Sequence, residues 1–279
     1  MAINLASKYS KKVDERFTKQ SQASLVTNNN YDFNGVDTVN VYSIDTVPLN
    51  DYTRSGSNRY GTPTELGNKV QTMKITQDKG WTFTIDKANK TQSMMVMDAG
   101  KACARQMSEV IIPAYDTYVF ATLAKAATAK GNFKTETINK GDAYSKFLDA
   151  QESLGNKNVP DAGRVCLCSY AFANKLKQDP SFMRYGDMTQ EMLIKGVMGE
   201  VDGVKIVKVP ASRLPEGCNF ILTHPMACVA PRQLNEYKIH TDVPGISGWL
   251  AEGRQLFDAF VLDNKADAIF YNGSSAVEG

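Results

Sequence analysis

The chain is poor in the side chains that most enzymes depend on. Only two histidines, His224 and His240, occur in 279 residues. His224 precedes a proline in a loop-like stretch, and His240 alternates with Tyr237 and Ile239 in a strand-like one. Neither has a recognisable nucleophile nearby. Gly245-Ile246-Ser247-Gly248 lacks the spacing of a nucleophile elbow, so base-assisted Ser or Cys chemistry is not expected. A phosphate-binding loop is missing as well. Gly56 and Gly61 have the right gap, but Thr62-Pro63 follow where a lysine and a hydroxyl residue are required.

Cysteine is scarce and odd in number: Cys103, Cys166, Cys168, Cys218 and Cys228. Scattered through apolar segments, the five do not form a disulfide framework. Alternation puts Cys166 and Cys168 on one face of the strand-like run 164–169, where they read as small buried residues. A metal site would want a second close-spaced pair. Cys218 and Cys228 stand ten positions apart, with only His224 between them. No catalytic residue, cofactor or metal is therefore expected. Charge of one sign is not in excess either: 32 Lys and Arg face 30 Asp and Glu, a net charge of +2. That excludes a nucleic-acid binder working through bulk positive charge. Long apolar runs are absent. The uncharged stretch Cys218–Pro231 is too short to span a bilayer, and the N-terminus has no apolar core of signal-peptide length. A cytoplasmic site of synthesis and no membrane partner are expected.

What the chain does have is an unusual order of segments. Residues 1–30 read as a basic arm, with Lys8, Lys11, Lys12, Arg16 and Lys19 against Asp14 and Glu15, followed by a Gln-, Ser-, Thr- and Asn-rich stretch. A short helix over 8–20 would set Val13 and Phe17 on one face. Residues 31–90 read as a two-stranded excursion. One strand covers 39–44. The other runs over 69–86, interrupted near Asp78-Lys79-Gly80 and ending in the strictly alternating Trp81-Thr82-Phe83-Thr84-Ile85-Asp86. Between them, residues 46–72 hold only six large apolar or aromatic residues in 27, so this stretch has no core of its own and needs a neighbour to pack on.

Residues 91–130 give the clearest helical pattern, capped by Thr91 or Ser93. Its apolar face reads Val96, Gly100, Cys103, Met107, Val110, Ala114 and Tyr118. Pro113 must kink or split it. A shorter helix follows at 142–154. Residues 156–228 then read as an α/β unit: strand 164–169, helix 171–177, a helical stretch 187–195, a hairpin-type turn at Val201-Asp202-Gly203-Val204, and strands 205–209 and 220–223. Strands are expected again at 236–241, 256–262 and 267–271, with a loose tail from Asn272. A core-less excursion, a basic arm and a spine helix on a compact lobe all ask for identical copies as partners, which is the logic of a shell.

The chain resembles the major capsid proteins of tailed bacteriophages, which have the Hong Kong 97-type (HK-97-like) fold. The resemblance rests on segment order and on three stretches: 39–44 through Arg54-Ser55-Gly56, Trp81 to Lys87, and Leu250-Ala251-Glu252-Gly253-Arg254 through Ala266-Asp267-Ala268-Ile269. It implies an α+β fold divided into N-terminal arm (1–30), extended loop (31–90), peripheral domain with spine helix (91–155), axial domain (156–228) and returning peripheral strands (229–279). It also implies self-assembly through pentamers and hexamers into an icosahedral shell around phage DNA. Portal, scaffolding and decoration proteins would be further partners, and the virion the final location after assembly in the bacterial host cytoplasm. An encapsulin-type compartment around cargo enzymes shares the fold and is the alternative. Many members begin with a scaffolding segment that is later removed; here the arm starts almost at Met1, so either scaffolding is a separate protein, which Met1 favours, or this is the mature form. Tyr42, Arg54, Tyr60, Trp81 and Phe83 are the expected inter-subunit contacts, and Lys8, Lys11, Lys12 and Arg16 the weak DNA contacts. One branch of the family joins a loop lysine to a neighbour's asparagine; Lys69, Lys74, Lys79, Asn235 and Asn264 are available here, although a lysine on such a loop is more often simply solvated.

Overall fold

The computed structural model describes residues 21–31, 33, 37–92, 99–181, 199–241 and 243–277. The expected helices at 8–20 and 187–195, with Ser93, Val96 and Asp98, lie outside the described residues.

A six-stranded mixed sheet forms the centre, in the order β4 (Phe133–Thr135), β13 (Ile269–Gly273), β8 (Cys218–Thr223), β5 (Val165–Ser169), β7 (Val204–Val209), β6 (Glu200–Val201). Strand β5 is buried along its whole length. Its alternation sends Val165 and Leu167 to one side and Cys166 and Cys168 to the other. On the first side lies helix α3 (Ile112–Ala129), packing Val119, Phe120, Leu123, Ala124 and Ala127 against Ile221, Ile269 and Tyr271. On the second lie α4 (Ala143–Gly155) and α5 (Tyr170–Gln178), packing Phe147, Leu154, Phe172 and Leu176 against Phe220, Leu222 and Phe270. The β6–β7 turn needs positive φ at both central residues, and Asp202 (50°) with Gly203 (72°) supply it. Two strands of this sheet, β4 and β13, come from outside the 156–228 segment.

The long helix is built differently from its sequence pattern. Its first described piece, α1 (Lys87–Gln92), starts four residues earlier than the expected helix, because Asp86 accepts a hydrogen bond from the Ala88 N–H at 2.8 Å. Helix α2 (Ala99–Gln106) runs into a π-helical turn over Met107–Ile111, which delivers the chain into α3 with Pro113 in its first turn. Proline cannot donate to an i−4 carbonyl, and the wide turn absorbs that loss. The extra residue also rotates the buried face. Cys103 is buried as expected, but Val110 and Ala114 are exposed, and Tyr115, Asp116 and Val119 take their place.

The excursion is not one long two-stranded ribbon. β1 (Thr38–Ile44) pairs antiparallel with β2 (Asn68–Lys74), but the break falls at Ile75-Thr76 and not at Asp78-Lys79-Gly80. Those three residues lie inside β3 (Gln77–Asp86), which pairs with β11 (Gly248–Phe257), itself paired with β10 (Arg232–His240). β11 also corrects the expected strand at 256–262: pairing to β3 starts it at Gly248, and only the two-residue β12 (Phe260–Val261), against β9 (Cys228–Val229), follows. A short 3-10 segment over Asp263–Ala268 then precedes β13. The tail is not loose from Asn272. Asn272 and Gly273 complete β13, Ser274 N donates to Gly217 O at 2.8 Å, and Val277 packs on the core. Among the described residues no helix is long and apolar enough to cross a membrane.

Phe220 sits at the centre of the second core, 4.7 Å from Phe172 and 6.4 Å from Phe147 between ring centroids. Phe220→Ala is expected to cost about 3–5 kcal/mol by the cavity it leaves, read from urea unfolding of the unassembled chain. A loss under about 1 kcal/mol would deny this cluster its place in the core.

Candidate assembly surfaces

The β1–β2 hairpin has two apolar faces. Val39 and Val41 on β1 and Met73 on β2 turn inward onto Phe33, Ile75, Val229 and Leu262. The opposite face places Tyr42 beside Val70, with Ile44 next along the strand, and leaves them 68%, 50% and 71% exposed. Period-two alternation allows only one face to be covered by the chain itself. Beyond it, residues 45–67 form a loop tied mostly to itself, by bonds that include Asp45 N to Gly67 O (3.0 Å), Thr53 N to Arg59 O (3.0 Å), Arg59 Nε to Gly56 O (3.1 Å), Gly61 N to Asn58 O (2.9 Å), an Asp45–Lys69 ion pair (3.1 Å) and the edge-on Tyr52–Tyr60 pair. Val47, Leu49, Tyr60 and Leu66 are exposed there, as is Arg54.

The root of the hairpin is pinned far better than its tip. Gln71 donates to Val261 O (2.8 Å) and accepts from Asp263 N (3.0 Å). Asp258 receives both Thr76 N and Thr76 Oγ1 at 2.8 Å on one oxygen and the Tyr118 hydroxyl at 2.6 Å on the other. That carboxylate joins the hairpin root to the spine helix. Burial, and then the Asp258 hydrogen bond, push the Tyr118 hydroxyl up to about 12.

Sheet β10–β11–β3 has one aromatic and one charged face. Trp81 and Phe83 share a face and stack at 5.6 Å, with Tyr237 and Ile239 across the sheet. Gly253 lies beneath Trp81; a Cβ there would meet the indole at 2.5 Å, so the ring's seat depends on glycine. The other face carries Asp78, Arg254, Glu236, Lys238 and Glu252, which together with Trp81, Tyr237 and Gly253 line a concavity of about 750 Å³. Arg254 makes a two-pronged pair with Asp78, and His240 hydrogen-bonds Glu252 at 2.8 Å.

The structure thus separates the expected contact residues. Tyr42, Arg54 and Tyr60 ride on the hairpin and its loop, whereas Trp81 and Phe83 belong to the sheet and touch each other. Lys8, Lys11, Lys12 and Arg16 lie outside the described residues. Of the loop lysines, Lys69 is paired with Asp45, Lys74 stands 4.0 Å from Asp37, and Lys79 lies on β3.

Two groups were not singled out from the sequence. The first is Asp258. The second is Asp116, wholly buried on α3, which accepts from Ser21 Oγ (2.7 Å), Gln22 N (3.1 Å) and Ala23 N (3.3 Å) and pairs with buried Arg213 at 2.9 Å. Residues 21–27 of the arm are therefore seated on their own chain, with Ala23 and Val26 in the main core. Each acid stands alone inside an apolar run (Ala114-Tyr115-Asp116, Leu256-Phe257-Asp258-Ala259-Phe260), a readable sign of a buried carboxylate with a specific partner.

His224 has structural partners. His224 Nδ1 accepts from Met226 N at 3.2 Å and its Nε2 faces Ala162 O at 3.1 Å. All five cysteines are buried, and burial pushes the Cys218 and Cys228 thiols up to about 12, which leaves them unreactive. Among the described residues no cluster of three or more His, Cys, Asp or Glu could hold a metal.

No protein-family profile matches the chain, and no curated protein matches it in sequence. Solved structures do. A structure from Mycobacterium phage Che8 superimposes with a TM-score of 0.79 at 18% identity, covering 98% of this chain and 99% of that one. The capsid of cyanophage P-SCSP1u gives 0.76 at 13% identity, covering 97% and 93%. The mature capsid of bacteriophage PhiM1 gives 0.73 at 13%, covering 96% and 91%. The chain has, over nearly its full length, the Hong Kong 97-type fold of tailed-phage capsid proteins.

Two measurements check these surfaces. Asp116→Ala strands Arg213 in the core and is expected to cost about 3–5 kcal/mol, with new proteolytic cleavage within 21–27. Tyr118 and Tyr271, both raised to about 12 chiefly by burial, stabilise the fold fully below pH 10, where the unfolded phenols are still protonated. That contribution is lost as pH rises from 10 towards 12. The urea midpoint should fall across that window, and less steeply in Tyr118→Phe.

Proposed function

We propose that the chain is the major capsid protein of a tailed bacteriophage, a structural protein whose copies close into an icosahedral shell around double-stranded DNA. One observation carries the reading: on a chain with a capsid-type fold, the hairpin presents an apolar outer face that nothing among the described residues covers. The area exposed there is worth about 25 cal/mol per Å² when another copy buries it. Hairpin and receiving surface are different patches, so the contact is heterologous and propagates into rings and lattices.

In this reading Tyr42, Arg54 and Tyr60 reach an adjacent subunit, whose aromatic sheet face offers Trp81 and Phe83. The 156–228 lobe gathers at the centre of pentamers and hexamers as the axial domain, and residues 91–155 with 229–279 form the periphery. The segment before Ser21, with Lys8, Lys11, Lys12 and Arg16, faces packaged DNA, bound weakly and without sequence preference. Portal, scaffolding and decoration proteins complete the partner list, assembly takes place in the host cytoplasm, and the protein catalyses no reaction. An encapsulin-type compartment has less support, since the similar structures above come from phages.

The test is expression of the chain alone and with a scaffolding partner, followed by size-exclusion chromatography and negative-stain electron microscopy. Shells, tubes or sheets of megadalton size are expected. A monomer or dimer under both conditions would overturn the reading, and co-purified protein cargo would favour the compartment. Leu49→Ser with Tyr60→Ser should change the stability of the single chain by no more than about 0.5 kcal/mol, yet abolish closed shells. Normal shells from that variant would remove the loop from the contact.

A further inference from the structure

The turn over 224–229 ties together the arm, the main sheet and the root of the hairpin, and an imidazole holds it closed. His224 caps the 3-10 turn Pro225–Ala227. Its Nδ1 accepts from the Met226 N–H at 3.2 Å, and its Nε2 meets the Ala162 carbonyl at 3.1 Å. A backbone N–H can only donate and a carbonyl only accept. One form of the ring satisfies both, the neutral imidazole with its proton on Nε2. The Ala162 carbonyl is itself fixed, because buried Arg164 donates to Pro160 O at 3.0 Å and to Val159 O at 2.6 Å. The capped turn then offers its carbonyls to other segments. Asn28 N donates to Cys228 O at 2.9 Å, and Asn28 Nδ2 donates to Pro225 O at 2.9 Å and to Cys228 O at 3.0 Å. Leu262 N donates to Ala227 O at 3.0 Å, next to Val261, whose carbonyl receives Gln71 of the hairpin root. Asn28 lies between the arm residues seated on Asp116 and the start of the hairpin.

We propose that His224 is an acid-sensitive clasp, whose protonation opens the Pro225–Ala227 turn and frees residues 27–31 while residues 21–26 stay seated. An imidazolium carries a proton on both nitrogens and accepts at neither. Its Nδ1–H would face the Met226 N–H, two donors with no acceptor between them, and the cap is lost. Pro225 has no N–H, so Met226 carries the first donor of the turn and nothing replaces it. The Nε2–H keeps Ala162 O and, as a charged donor, binds it more strongly. The ring therefore stays with the 159–164 turn, and the Pro225–Ala227 turn gives way. The ionisable groups on the elements around the ring have other partners or stay neutral. Asp161 and Arg164 pair with each other at 2.7 Å, and Asp267, on the 3-10 segment that also carries Asp263 and Lys265, stands 3.2 Å from Lys157. Burial keeps the Cys228 thiol neutral. Among the described residues the polar partners of the ring are the two backbone groups named.

The closed turn binds the neutral ring and the open turn either form, so lowering the pH through about 6.5 favours the open turn. Residues 21–23 do not depend on the ring, because their donors rest on Asp116. Acid thus uncouples the arm from the hairpin without unseating the arm. His240 responds in the opposite sense, since protonation strengthens its contact with Glu252 at 2.8 Å. The device lies within one chain and stands apart from the capsid reading.

The test is hydrogen–deuterium exchange of the purified, unassembled full chain about one pH unit above and below 6.5, scaled to the intrinsic exchange rate at each pH. Peptides covering 27–31 and 225–229 are expected to exchange about five- to tenfold faster on the acid side, the size of a lost cap. Ala23, Val26 and α3 should keep their protection. His224→Asn retains a side-chain acceptor for the Met226 N–H at every pH and should abolish the acid effect, whereas His240→Gln should leave it intact. Nitrogen NMR of the unsubstituted chain should place the proton of the neutral His224 ring on Nε2. Unchanged protection of 27–31 in acid overturns the proposal. So does an equal acid effect in His224→Asn, a loss spread evenly over α3 and the arm, or a proton on Nδ1 at neutral pH.

Discussion

Burial of one face of α3 against the six-stranded sheet is the interaction on which every other part of the molecule hangs. The arm is tied to that helix through Asp116, the hairpin root through Tyr118 and Asp258, and the three-stranded sheet through Phe257, whose ring packs edge-on against Tyr115 and Tyr118 at 5.4 and 5.7 Å. These attachments all fall within one turn of α3, residues 115–118. A displacement of α3 along or about its axis would move the arm, the hairpin and the sheet together. The π-helical segment sets which residues that turn presents, and Pro113 explains why the segment is there.

Around that centre the described residues leave apolar surface uncovered at two remote places, the outer face of the hairpin and the aromatic face of the β10–β11–β3 sheet. A monomer gains nothing from either. Exposed Tyr, Ile and Leu on a ribbon with little internal bonding cost solubility, and they are tolerated where another copy covers them. The root of the ribbon, by contrast, is held by four hydrogen bonds through Gln71 and Thr76, with Asp258 itself held by Tyr118. Firm roots and loose tips suit a shell in which each contact is weak and many act together.

Much of this architecture was legible in the residues. Strict alternation in 81–86 announced a strand, and the scarcity of large apolar side chains in 46–72 announced a segment without a core. Asp202-Gly203 announced a tight hairpin turn, and the structure has each. Strand partners were not legible. β3 follows β2 after two residues, and adjacency suggests pairing; it pairs instead with β11, more than 160 positions on. Local alternation records which residues face the same way and is silent on what lies beside them. The helix register failed for a related reason. A period of 3.6 projected through 107–111 assumes one kind of turn, and a single extra residue there moves the buried stripe from Val110 and Ala114 to Tyr115 and Val119. The arm was read as lying on a partner or free, because nothing local shows that Ser21, Gln22 and Ala23 supply the donors for a carboxylate 93 to 95 positions away.

The sequence by itself determined the kinds of element, their order, the near-neutral charge and the poverty of reactive side chains, because these follow from composition and from periodicities of two to four residues. The tertiary structure alone decided which strands share a sheet, which way α3 turns its face, and that Asp116, Asp258 and His224 find their partners. Each of those outcomes depends on residues brought together from across the chain, and the free energy that selects them comes from burial, which no local stretch can achieve on its own.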